Sequence, residues 1–134
     1  MNINSAKNFS YKALIASISL FILFHIGILT KLIPYENTWG GQLENEAQMY
    51  VFETISILIN AMLITILVLK ANYVKNSLSP KLLNGILRAF QVLFTLNTVG
   101  NLFAKTYLEM SFSLVTLAFA VLIGIILKKP NQQN

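Results

Sequence analysis

Residues 110–127 read MSFSLVTLAFAVLIGIIL, an unbroken stretch without one formal charge. At about 1.5 Å of rise per residue, a helix of this length crosses most of a hydrocarbon core about 30 Å thick. Three further apolar runs precede it, from about Ala13 to Ile33, Met49 to Leu69 and Leu82 to Ala104. In lipid the backbone must satisfy its own hydrogen bonds, so runs this long read as helices. The expected fold class is all-α: an integral membrane bundle of four transmembrane helices, forming a single membrane domain over residues 1–134 with an outer loop at 34–48.

Composition agrees. Apolar residues make up 55% and charged residues 11%, well short of the roughly one quarter that covers a soluble domain. The net charge of +5 does not form a nucleic-acid patch, because the basic residues sit singly or in pairs at the ends of the apolar runs. That placement suits an anionic inner leaflet. With no cysteine, disulfides, thiol chemistry and iron–sulfur clusters are excluded.

Lys7 and Lys12 precede the first run, as in a signal peptide. The run is longer than a usual signal core and ends in Thr30-Lys31-Leu32-Ile33-Pro34 without a small-residue cleavage site, so it reads as an uncleaved span. Lys7, Lys12, Lys70, Lys75, Lys81, Arg88, Lys128 and Lys129 fall on one side of the four spans, and Lys31 and Lys105 on the other. All five acids share the second side. The positive-inside pattern places the N and C termini inside, in a cell inner or cytoplasmic membrane. Ser79-Pro80 reads as the start of span three, Thr106-x-x-Glu109 as a capping box for span four, and Asn45 with Gln48 as a cap for span two. Tyr35, Trp39, Tyr50 and Tyr107 form an expected outer aromatic belt, with Tyr11 and Tyr73 inside. Gly40-Gly41 reads as a turn, and Glu44 and Glu46 as a solvated loop face.

Polar residues within lipid-spanning helices are costly and therefore the first functional candidates. Glu53, Ser56 and Asn60 share one face of span two. Asn84, Arg88, Gln91, Thr95 and Thr98 share a face of span three, expected to turn towards the bundle interior. Thr116, Ala120 and Gly124 make a small-residue face on span four, suited to close helix packing. Glu53 lies roughly 6 Å below the outer boundary, Asn101 roughly 5 Å, Asn97 roughly 10 Å and His25 roughly 12 Å. The four can line one pocket beneath the outer loop, with Asn60 below and Trp39 over the mouth. A single histidine cannot supply a bis-His haem, no zinc spacing occurs, and no phosphate loop or nucleophile set is present. No cofactor, metal or catalytic residue is assigned.

Pro34-Tyr35-Glu36-Asn37-Thr38-Trp39-Gly40-Gly41-Gln42-Leu43, Met49-Tyr50-Val51-Phe52-Glu53 and Leu96-Asn97-Thr98-Val99-Gly100-Asn101-Leu102-Phe103-Ala104-Lys105 resemble a group of small, uncharacterised bacterial four-helix membrane proteins over nearly the full length. That resemblance implies no function. A second, architectural likeness is to the sigma-2 receptor and emopamil-binding proteins, bundles that bind sterol-like or cationic amphiphilic ligands. On that likeness Glu53 corresponds to their intramembrane acid, although a second acid within a helix is not evident here. Three functional readings follow. The first is a non-enzymatic module binding a small or lipid-like ligand in an outward-facing pocket through Glu53, His25, Asn97, Asn101, Trp39 and Asn60. The second is a structural or accessory subunit of a membrane complex. The third is an intramembrane acid/base enzyme using Glu53 and His25. The expected partners are the lipid bilayer, such a ligand, and a second copy or another membrane protein.

Overall fold

The computed structural model describes residues 2–39, 43–104 and 107–128. Four helices account for most of them: α1 (Ile3–Leu29), α2 (Glu46–Lys70), α3 (Pro80–Leu102) and α4 (Tyr107–Leu127). All four are long and apolar enough to cross a membrane, and no strand occurs among the described residues. A short 3-10 turn, Tyr35–Asn37, interrupts the loop between α1 and α2.

The helix ends follow local chemistry. Asn45 accepts from the Gln48 backbone N–H, and Ser79 accepts from Leu82 ahead of Pro80, so both expected caps are present. α1 starts ten residues before the expected span, because Asn2 caps it and Ser10 folds its hydroxyl back onto the Ala6 carbonyl. It also stops four residues earlier, at Leu29. There Lys31 takes a left-handed φ of 61°, and the N–H groups of Lys31 and Leu32 return to the carbonyls of Ile28 and Gly27. This Schellman closure satisfies carbonyls that would otherwise be orphaned. Gly27 lets Ile33 pack close, since a Cβ there would lie 2.9 Å from Ile33 Cδ1 and the side chain would have to shift. α2 closes in the same way with Asn72 at φ 57°, a residue that adopts this conformation more readily than most. The Gly40-Gly41 turn and the Thr106 cap lie outside the described residues, as do Lys105 and Lys129.

α1 pairs with α2 and α3 with α4 in two hairpins, which meet mainly through α1 and α4; of the neighbouring pairs, α2 and α3 touch least. One end of the bundle, here the terminal end, gathers both chain ends and the α2–α3 link. There the Tyr73 hydroxyl meets Asn8, and Lys7 donates to the Lys128 carbonyl. The opposite, loop end is tied by Lys31 to Glu46 at 2.7 Å. The hydrogen bond to Glu46 pushes the exposed Lys31 ammonium above its ordinary pKa. Leu14, Ile18, Leu63, Leu67, Leu87 and Ile123 are fully enclosed and fill the terminal half.

The polar stripe of α3 does not face the interior. Asn84, Arg88 and Thr95 are exposed, and the buried face is Leu83, Leu87, Phe90 and Phe94. Gln91 and Thr98 lie at the stripe's edge and reach α4, donating to the Ala120 carbonyl at 3.2 Å and meeting the Thr116 hydroxyl at 2.9 Å. The small-residue face of α4 is therefore occupied within the chain. A Cβ on Gly124 would lie 2.8 Å from the Gln91 amide nitrogen.

Candidate functional site

Glu53 sits two turns into α2 and is completely enclosed, not an interfacial carboxylate reaching water. Both of its oxygens are engaged. Oε2 lies 2.6 Å from Nδ1 of His25 on α1, and Oε1 accepts from the indole N–H of Trp39 at 2.8 Å. Three separate segments thus converge on one carboxyl group. A buried carboxyl without donors would be strongly disfavoured, and two directed partners meet that cost. Whichever of His25 and Glu53 holds the shared proton, Nε2 of the ring has no hydrogen-bond partner among the described residues.

Trp39 reaches Glu53 from above. It has φ of 55°, a conformation that costs a bulky residue about 1–3 kcal/mol and persists only when its surroundings hold it. Here they do. The indole donates to Glu53 and packs on Phe52, with ring centroids 5.0 Å apart, while Thr38 beside it is buried and donates to the Tyr35 carbonyl. Part of the indole remains exposed, so the ring closes the loop end without sealing it.

Two cavities adjoin this cluster. The smaller, about 150 Å³, is bounded by His25, Trp39, Glu53, Asn101 and Glu109 with three phenylalanines. The larger, about 340 Å³, shares His25, Trp39 and Asn101 with it and extends past Ser56, Asn60 and Asn97. All six candidate residues, Glu53, His25, Asn97, Asn101, Trp39 and Asn60, therefore lie on one or both cavities. They are not equivalent. His25 and Trp39 each bond Glu53, and the Asn60 amide nitrogen is spent on the Ser56 carbonyl at 2.8 Å. The side-chain amides of Asn97 and Asn101 have no hydrogen-bond partner among the described residues. These two amides, that of Asn97 exposed and that of Asn101 half-buried, are able to orient a bound molecule together with Nε2 of His25, the Ser56 hydroxyl and the Asn60 amide oxygen.

Two features were missed by sequence reasoning. One is an aromatic wall joining α1, α3 and α4. Phe21 lies 5.5 Å from Phe112 and 5.7 Å from Phe119, Phe24 lies 5.7 Å from Phe112, and Phe94 lies 5.2 Å from Phe119. The i, i+3 and i, i+7 spacings of these phenylalanines were the available signal. The other is Glu109. It belongs to the first turn of α4, is nearly fully buried and lines the smaller cavity, so a second acid within a helix does exist.

No side-chain group able to hold a metal occurs among the described residues. No family model, curated protein or solved structure matches the chain.

Proposed function

We propose that this chain is a multi-pass membrane protein that holds a small or lipid-like molecule between its helices, in the half of the bundle turned away from the cytoplasm. The observation that carries this reading is the His25–Glu53–Trp39 cluster at the wall of two adjoining cavities. Polar groups are costly inside a bilayer, and evolution of such a cluster beside open space is better explained by an occupant than by packing. The unpartnered amides of Asn97 and Asn101 supply hydrogen bonds to that occupant, and the aromatic wall supplies its apolar surroundings. Basic residues gathered at the terminal end support an orientation with both termini inside, in a cell inner or cytoplasmic membrane.

Native mass spectrometry after incubation with a mixed polar-lipid extract tests the binding. The expected result is a retained adduct that is lost from Asn97→Leu and from Glu53→Gln, with helix content unchanged. No adduct, or one indifferent to both substitutions, overturns the reading. The absence of cysteine makes the orientation simple to test. An Asn8→Cys variant should react with an impermeant maleimide only after cells are opened, and a Glu36→Cys variant should react in intact cells.

One observation favours a second reading. A carboxyl held at 2.6 Å from Nδ1 fixes the imidazole and leaves Nε2 unpartnered on a ring that borders both cavities, an arrangement suited to acid/base chemistry by His25 with Glu53 as its positioning residue. The same mass measurement separates the two readings. A recovered ligand of unchanged mass supports binding alone, and a mass change that disappears in His25→Gln supports a reaction.

A further inference from the structure

The open space between the helices continues beyond the polar groups. Towards the terminal end, a groove of about 280 Å³ lies between α2 and α3, bounded by Ile59, Met62, Ile86, Ala89, Phe90 and Leu93. No polar side chain lines it. Ile59 and Leu93 also bound the larger cavity, so the polar chamber and the apolar groove share a wall. The groove lies on the α2–α3 seam, the least closely packed pair of neighbouring helices, and the chamber is bounded by all four helices, these two included. Ile59, Met62 and Leu93 are exposed along it.

We infer that the ligand is a single-chain amphiphile with an uncharged, hydrogen-bonding headgroup, entering sideways between α2 and α3 with its head in the chamber and its tail in the groove. This rests on the binding function proposed above and names the ligand class. The shape follows from the order of the two spaces, with polar groups at one end and hydrocarbon at the other. From Asn97 to Ile86 the site runs about 16 Å along α3 at helical rise. One slot between two helices accepts one chain, not the paired tails of a phospholipid.

The charge of the head follows from the residues already engaged. Among the described residues, no lysine or arginine lines the chamber or the groove, so an anionic head meets no counter-ion. Both Glu53 oxygens are bonded within the chain, and Glu109 lies on the smaller cavity with an interaction of its own. A cationic head therefore finds no carboxylate in the larger chamber. Amides, the Ser56 hydroxyl and an imidazole nitrogen remain, which suit a hydroxyl or carbonyl.

The test uses the full chain in phosphatidylcholine nanodiscs with photoreactive dodecanol, its diazirine at the chain terminus. Label is expected on Met62 or Ile86, and an Asn97→Leu/Asn101→Leu double variant should bind roughly tenfold more weakly. Met62→Trp, at an exposed position, and Ile86→Trp should each block dodecanol but spare photoreactive hexanol, which fits the chamber alone; the thermal midpoint of each variant verifies folding. If hexanol labels the chamber while dodecanol ignores the groove and both tryptophans, the amphiphile inference is overturned and the binding reading stands. If neither alcohol labels the chamber, this inference falls with that reading. Labelling by photoreactive dodecanoate or dodecylammonium equal to that by dodecanol overturns the uncharged head.

Discussion

The two halves of the bundle are built from the same four helices and packed by different rules. In the terminal half, Leu14, Ile18, Leu63, Leu67, Leu87 and Ile123 meet with no exposure. In the loop half, the buried positions include Glu53, Glu109, Ser113 and Thr38, and the space between helices stays partly open. Every buried side-chain nitrogen or oxygen among the described residues still has a partner. The openness is therefore not a packing failure. Apolar side chains can interdigitate until no gap is left, whereas directed hydrogen bonds fix groups at set distances and leave the remainder unfilled.

This contrast makes the halves respond differently to substitution. The largest stability loss is expected in the terminal half, where Leu87→Ala should cost about 2–5 kcal/mol in reversible unfolding while the folded fraction still binds ligand. A cost no greater than that of Glu53→Leu would erase the distinction. Next, Glu53→Leu should cost about 1–3 kcal/mol, because it strands the Trp39 indole and the His25 ring, and should abolish binding. Gly124→Ala should cost about 1 kcal/mol, because the new methyl displaces the Gln91 amide from the Ala120 carbonyl. Binding in the loop half should be unchanged, and a loss would show that the α3–α4 pairing controls the chamber. Smallest of all, Lys31→Met should leave the thermal midpoint unmoved at any salt concentration, since both partners of its ion pair are exposed.

The sequence revealed some of this arrangement for clear physical reasons. Hydropathy and length located all four helices, and the caps at Asn45 and Ser79 were legible because capping is local. Depth arithmetic placed Glu53 and His25 in the same outer half of the bundle, and the two side chains do meet. The inward face of α3 was misread. Spacing groups Asn84, Arg88 and Thr95 on one side, but lipid is as apolar as leucine, so hydrophobicity alone cannot distinguish the interior from the membrane. The Trp39–Glu53 bond was also illegible as a contact. It depends on a tryptophan in the left-handed region after a 3-10 turn, a conformation no residue pattern specifies. Spacing offers Glu109 only as part of a cap, because its place on the smaller cavity depends on helices distant in sequence.

The pairing of the helices resembles the binding of a book. α1 against α4 forms the spine, each hairpin is a cover, and α2 beside α3 is the fore-edge. Parting the fore-edge separates the covers without splitting either one. On the binding reading proposed above, exchange of the ligand would ask only that this margin part, with the spine left whole.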